Sequence, residues 1–471
     1  YEILRCLVGS EMCIRDSDLS MARFQFKNRK NNGLIFFISF MVMGEAAIAA
    51  PLPQWANAPA VTPVAQLSLQ ESILRAFARN PDVTQQAAQI GIGEAQIDEA
   101  KSAWYPHVGL TGNAGPSRQT DSSGRLDNNV SYGITLTQLV YDFGKTNNDI
   151  KLQTAARDSY RFKLMATLTD VAEKTATAYM EVSRYQALCD AAQRNIHSLE
   201  NVYNMAALRA NAGLNSSSDE LQAQTRIAGM RSTLEQYQAQ MASAKAQLAV
   251  LTGVQPEAIA APPAELAEQP VSLKNIDYQS IPLVLAAENL RQSAQYGVEK
   301  TKAQYWPTLS IQGGKTRYQT SDRSYWDDQL QLNVNAPLYQ GSAVSAQVQQ
   351  AEGQQKISAS QVEQAKLDVL QRASVAYANW TGARGREEAG LAQSESAHKT
   401  RDVYQNEYKL GKRSLNDLLT VEQDVFQAQS AEINANYDGW VAAVNYAAAV
   451  NNLIPLAGIK QGLYNDLPDL K

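Results

Sequence analysis

Residues 164–185 read LMATLTDVAEKTATAYMEVSRY, and Leu164, Leu168, Val171, Thr175, Ala178, Val182 and Tyr185 step through them by four and three in strict alternation. That is the seam spacing of helices packed as a coiled coil. The stretch lies inside a span, Lys145 to Ala212, without glycine or proline; as one helix it would run ~100 Å at about 1.5 Å per residue. A globular core needs nothing so long. A second proline-free block repeats the spacing with Val362, Ala365, Val369, Ala373, Ala376 and Trp380. Because many seam positions are Ala or Thr, neighbouring helices can approach closely while each buries little apolar area. A lone hairpin of this kind is marginal, so further helices beside it in a larger ring are expected.

Outward from the seam, the two halves of the chain are copies. Trp104-Tyr105-Pro106 corresponds to Tyr305-Trp306-Pro307, Tyr141 to Tyr339, Gly144 to Gly341, Gly213 to Gly411 and Asp219 to Asp417, at offsets of 197 to 201 residues. Each half reads as helix, two strands, very long helix, turn and returning helix. Pro256, Pro262, Pro263 and Pro270 mark a linker between them.

Between the helices the hydrophobic period changes to two. In residues 329–338, Leu330, Leu332, Val334, Ala336 and Leu338 alternate with Gln329, Gln331, Asn333, Asn335 and Pro337. Tyr132, Ile134 and Leu136 alternate with Thr135 and Thr137, and Leu309 and Ile311 with Ser310 and Gln312. Aromatic residues gather near the strand ends: Trp104, Tyr105, Tyr141, Tyr305, Trp306, Tyr325, Trp326 and Tyr339, as a membrane-interface girdle requires. The alternative is a soluble sheet with one face on a core. Four strands are too few to close a barrel, and an open edge in hydrocarbon leaves backbone groups unpaired. Closure then needs several copies: a dimer supplies eight strands and a trimer twelve, and strand counting does not choose between them. The fold class read from these patterns is mainly α with a transmembrane β part, internally duplicated, with long coiled-coil-like hairpins and four β-strands per chain.

The 471 residues are 19% charged with a net charge of −5, which carries no polycation signal for nucleic acid. Residues 1–20 lack any periodic pattern and read as a non-native leader. From Met21 a basic region (Arg23, Lys27, Arg29, Lys30), an apolar run at 34–44 and Ala47-Ile48-Ala49 form a secretory signal peptide at 21–49, the alternative being an N-terminal membrane anchor. Cleavage removes a net +1, leaving −6 and only Cys189, so no intramolecular disulfide can form. No cysteine lies just after the cleavage site to carry a lipid. The remainder divides into an N-terminal linker (50–66), a first repeat (67–253: helix, strand pair 105–142, hairpin 144–253), a Pro-rich segment (254–275), a second repeat (276–455: helix, strand pair 305–340, hairpin 341–453) and a tail (456–471).

This doubled helix–strand–strand–helix plan, with Tyr141-Asp142-Phe143-Gly144 after the second strand, resembles the TolC-like outer-membrane efflux proteins over roughly residues 67–455. The resemblance implies a homotrimer in the Gram-negative outer membrane, with a twelve-stranded barrel in the lipid and a twelve-helix tunnel across the periplasm. It implies a periplasmic adaptor and an inner-membrane pump of ABC, RND or MFS type as partners. The stretch Tyr141–Gly144 looks closer to members serving type I protein secretion than to drug-efflux lipoproteins.

The hairpin turns read LRANAGLNSSSDELQAQ (208–224) and YKLGKRSLNDLLTVEQ (408–423). Gly213 and Gly411 can end a helix in the left-handed conformation, and Ser216 and Ser414 can cap the next. The resemblance makes these turns the adaptor contact and the closed gate: Tyr408 and Arg413 would bond toward Asp219 of the first hairpin or its neighbour, and Asp417 would face the pore. A second acidic ring would need an acid at Thr420, unless Glu422 or Asp424 substitutes. The plainer reading is that Ser216–Asp219 and Ser414–Asp417 are capping boxes. Both roles can coexist at one residue.

Catalytic chemistry has no constellation here. His107, His197 and His398 are scattered and share no ligand spacing with Cys189, and no phosphate loop or nucleophile elbow is present. No cofactor and no enzymatic activity are expected. The competing function is a periplasmic coiled-coil adaptor or scaffold of an export complex, which would show one hairpin flanked by soluble β domains.

Overall fold

The computed structural model describes residues 62–117, 127–213, 216–268, 272–274, 276–319 and 323–459. The segments expected to be a leader (1–20) and a signal peptide (21–49), most of the N-terminal linker and the tail beyond residue 459 lie outside these. The order is β1 (Thr62–Leu67), α1 (Leu69–Arg79), α2 (Pro81–Ser102), β2 (His107–Ser117), β3 (Asp127–Tyr141), α3 (Lys145–Asn211), α4 (Ser217–Thr252), β4 (Val254–Ile259) and α5 (Ala264–Glu268). There follow α6 (Pro282–Lys302), β5 (Thr308–Gln319), β6 (Ser324–Asn335), α7 (Ala343–Lys409), α8 (Leu415–Ala449) and α9 (Leu453–Leu456).

α3 and α7 are each 67 residues long, or ~100 Å. Leu164, Leu168, Val171, Thr175, Ala178 and Val182 are buried along α3, as are Val362, Ala365, Val369, Ala373 and Ala376 along α7. Tyr185 and Trp380, where each seam ends, are partly exposed. α3 packs against α2, α4, α6 and α8, while α7 packs against α6 and α8. Ala172, Ala176, Ala191 and Ala192 are fully buried beside the seam; side chains this small let helix backbones approach closely. No described helix is long and apolar enough to cross a membrane.

A short parallel pair, β1 with β4, packs against α4 through β4. Tyr179 of α3 is wholly buried and points its hydroxyl at the carbonyls of Ala260 (2.5 Å) and Leu67 (3.1 Å), which end the two strands. Burial pushes this phenol up to about 12, so it remains a donor at any physiological pH.

Both long helices start at a left-handed kink after a strand. Asp142 is buried, and its carboxylate accepts from the Thr146 N–H (2.7 Å) and the Gly144 N–H (3.2 Å), satisfying two donors at the start of α3. Phe143 and Gly144 take φ of 54° and 91°, and in the second half Gly341 and Ser342 take 61° and 68°. The Tyr-Asp-Phe-Gly motif is therefore the joint at which a strand turns into the long helix.

The four long strands form one antiparallel sheet in the order β2-β3-β5-β6, joining the two halves through β3 and β5. The ladder of β6 ends at Asn335, opposite Thr308, whereas the alternation in the sequence runs to Leu338. Pro337 has no N–H for the ladder, so Ala336 and Leu338 lie beyond it. At the β3–β5 seam Gly133 admits no side chain: a Cβ there would meet Thr316 Oγ1 at 2.5 Å and the Lys315 carbonyl oxygen at 2.8 Å. Gly133→Val is expected to destabilise the sheet by ~1–3 kcal/mol, read as an earlier thermal loss of the β signal in circular dichroism. An unchanged melt would contradict this close approach.

Candidate functional site

The register sorts the strand residues into two chemically different faces. On one, Val108 and Leu110 of β2 lie opposite Leu136 and Ile134 of β3, Ile311 of β5 lies opposite Leu332 of β6, and Leu330 and Val334 flank Leu332. On the other, Thr135 and Thr137 of β3 lie beside Gln312 of β5 and Gln331 of β6, and Gln312 Oε1 accepts from Asn333 Nδ2 at 2.7 Å. In a soluble sheet the apolar face would lie on a core. Here it is bare: Leu110 is 80% exposed, Leu330 83%, and Leu332 and Val334 60% each. The strands are 11 to 15 residues long, enough to cross hydrocarbon.

The aromatic residues fall at both ends of this apolar band. At the helix-proximal end stand Trp104, Tyr105, Tyr141, Tyr305, Trp306 and Tyr339, with Phe143 stacked on Trp306 (centroids 5.4 Å) and meeting Tyr141 edge-on (4.7 Å). All but the partly exposed Trp104 are exposed. Gln138 ties the backbone of Trp104 to β3 at 2.8 Å. At the distal end Trp326 lies on the apolar face, where Tyr132 meets it edge-on and Arg317 and Lys315 sit over its indole, and Lys315 pairs with Asp328 at 3.0 Å, while the adjacent Tyr325 turns to the polar face and stacks on Tyr318. Two aromatic tiers, the outer one carrying charge, bound an apolar belt.

At the other extremity of the long helices, Gly213 (φ 70°) ends α3 and Gly411 (φ 72°) ends α7. Ser216 accepts from the Ser218 N–H at 3.2 Å. Ser414 accepts from the Asp417 N–H at 3.2 Å, and Asp417 Oδ2 accepts in return from the Ser414 N–H at 3.4 Å, forming a capping box. Asp219 lies in the first turn of α4, its backbone N–H bonded to the Ser216 carbonyl at 3.1 Å. Arg413, in the turn, folds back over α7, pairing with Glu407 at 2.8 Å and lying 4.1 Å from the centroid of the Tyr404 ring. The turn at Gly411 aims it there. Tyr408 of α7 is buried among Leu199, Val202, Ala206, Ala223, Leu415 and Leu418, drawn from the other three hairpin helices.

Several residues that the sequence did not single out join the two hairpins. Arg209, in the last turn of α3, donates to the carbonyls of Tyr408 (3.0 Å) and Lys409 (3.2 Å), which end α7, and sits over the Tyr408 ring at 5.1 Å. A cation there suits the negative end of the α7 dipole. Arg226 of α4 donates to Gln423 of α8 at 2.9 Å. Glu422, considered above for a second acidic ring, is wholly buried between helices and so presents no charge to a lumen, while Asp424 is exposed. An arginine at the C-terminal turn of a long helix was the one available sequence signal, and it does not name its partner.

Comparison with known proteins agrees with this geometry. The family described as "Outer membrane efflux protein" matches residues 73–254 and 278–452. Protein CyaE of Bordetella pertussis is 26% identical over 82% of this chain and 84% of its own length. Outer membrane protein TolC of Escherichia coli is 25% identical over 82% and 83%. Among solved structures, the open state of the Neisseria gonorrhoeae MtrE outer membrane channel superposes with a TM-score of 0.67 at 20% identity, over 82% of this chain and 89% of that one. The family match spans both halves, taking in each strand pair and each long hairpin, and on that ground the chain belongs to the outer membrane efflux protein family.

Proposed function

We propose that this protein is the outer-membrane exit duct of a tripartite export system, a passive conduit assembled as a homotrimer. The observation that carries the proposal is the bare apolar face of an open four-stranded sheet whose edges, β2 and β6, pair with nothing among the described residues. Hydrocarbon would cover that face, and a neighbouring copy would pair each edge, because unpaired backbone groups cost several kcal/mol each in lipid. Three copies make a twelve-stranded barrel with the Thr, Gln and Asn face lining a wet lumen, and twelve long helices beneath it. The repeated order of elements supports an internal duplication, with boundaries between repeats near residues 254 and 275.

A periplasmic adaptor would dock near the turns at Gly213, Ser216, Gly411 and Ser414, and an inner-membrane pump of ABC, RND or MFS type would supply the energy. Type I protein secretion and small-molecule efflux both fit a water-filled duct. At the tip, Asp417 keeps its cap and also offers three carboxylates around the axis, favouring cations while the duct is shut. Asp219 and Arg413 form the gate contacts, between the two hairpins of one chain or to a neighbouring copy, and Tyr408 packs the tip of its own chain beneath them.

Membrane fractionation tests the reading. A heat-modifiable trimer in the outer-membrane fraction is expected, together with single-channel conductance in planar bilayers. A soluble periplasmic monomer would favour the adaptor or scaffold reading instead, although that role gives no reason for an apolar face left bare.

A further inference from the structure

Glu422 sits on α8, just past the tip and facing α3 and α7. Its side chain is wholly buried. Ser198 Oγ of α3 donates to Oε1 at 2.8 Å, and Gln405 Nε2 of α7 donates to the same oxygen at 3.4 Å. Asn195 Nδ2 of α3 donates to the Glu422 backbone carbonyl at 3.0 Å. Two oxygens are left over: Glu422 Oε2 and Asn195 Oδ1 are both buried, and neither has a donor among the described residues. One residue thus brings together two orphaned acceptors on facing helices, a costly arrangement for a carboxylate. A single proton on Oε2 removes the charge and turns one of the two acceptors into a donor.

Among the described residues the surroundings supply no full counter-charge. α7 presents Arg401 and Asp402, which pair with each other at 2.9 Å. α3 presents the neutral Ser198 and Asn195, and Arg226 of α4 is engaged with Gln423. Burial raises the Glu422 carboxyl above its ordinary value, against the lowering effects of the Ser198 bond, the Arg401 charge and the Gln405 bond.

We propose that Glu422 is a proton-operated clamp between the two hairpins of each chain: the neutral acid binds α8 to α3 and α7, and loss of its proton leaves an unpaired charge in the seam that loosens the helices. The sign follows from linkage. Over the window between the ordinary carboxylate value and the raised one, the packed state holds a proton that the opened or unfolded chain has released, so packing weakens as pH rises through that window. In a duct gated at its tips, the closed state is then the protonated one.

The test compares thermal melts of the detergent-solubilised full chain with those of Glu422→Gln, whose amide is uncharged and keeps a donor. At about pH 5 the two are expected to melt together, and at about pH 9 the variant is expected to melt about 3–6 °C higher. A difference in Tm that is the same at both pH values overturns the clamp. Should the glutamine variant fail to assemble, Glu422→Met, uncharged and of similar length, is read the same way: a wild-type melt that falls with pH while the variant's holds supports the clamp, and parallel curves refute it. These melts report the helix seam whether or not the protein conducts, so failure of the channel reading and failure of the clamp are distinguishable.

Discussion

Arginine at Leu332 is expected to abolish assembly in the outer membrane, while arginine at the adjacent Gln331 leaves it intact. Leu332 lies opposite Ile311 on the bare apolar face, flanked on its own strand by Leu330 and Val334. A guanidinium held at the midplane of a lipid-facing barrel costs ~2–4 kcal/mol. Three copies bring the total to ~6–12 kcal/mol, comparable with the whole stability of a typical domain. Gln331 points to the opposite face, beside Gln312, where an arginine would meet lumen water. Both positions are exposed in the isolated chain, so a soluble sheet would tolerate the two changes alike. The measurement is the heat-modifiable trimer in the outer-membrane fraction, expected to be lost in L332R and retained in Q331R. Equal behaviour of the pair would remove the membrane from the account of this sheet.

That contrast was largely legible in the sequence, because strand faces follow from a period of two and nothing else has to be known. The α3 and α7 seams were legible for the same reason: a four-three step at Leu164 to Val182 or Val362 to Ala376 selects the buried stripe whatever the partner helix. The end of β6 was less so, although Pro337 announced it. The tip shows where such reasoning stops. Ser414 and Asp417 form a local cap that four residues of sequence encode, but Arg209 meets Tyr408 across 199 residues, and only the packing of two hairpins brings them together. Glu422 likewise has an ordinary helical neighbourhood in sequence, and its burial depends on Asn195 and Ser198 of another helix.

Arg209 therefore makes the sharpest test of how the tip is held. Arg209→Ala removes two hydrogen bonds to the carbonyls that end α7 and the cation over the Tyr408 ring, together worth about 2–3 kcal/mol for a partly exposed guanidinium bonding neutral acceptors. If the closed tip depends on this contact, the open population should rise at least about tenfold per chain, since each 1.4 kcal/mol is about a factor of ten. The readout is open probability and conductance of single channels in planar bilayers. Arg209→Lys keeps the charge but loses the planar fork that spans two carbonyls, and should fall between. Arg413→Ala separates this latch from a contact between copies. Among the described residues of one chain Arg413 holds the half-buried Glu407 carboxylate and the Tyr404 face, both on α7 beside it, so its loss opens the duct if its working partner belongs to a neighbouring copy. A channel opened by Arg413→Ala but indifferent to Arg209→Ala places the gate between protomers and leaves Arg209 a structural residue. The reverse result places the latch between the two hairpins of one chain, where the carbonyls of Tyr408 and Lys409 face the end of α3.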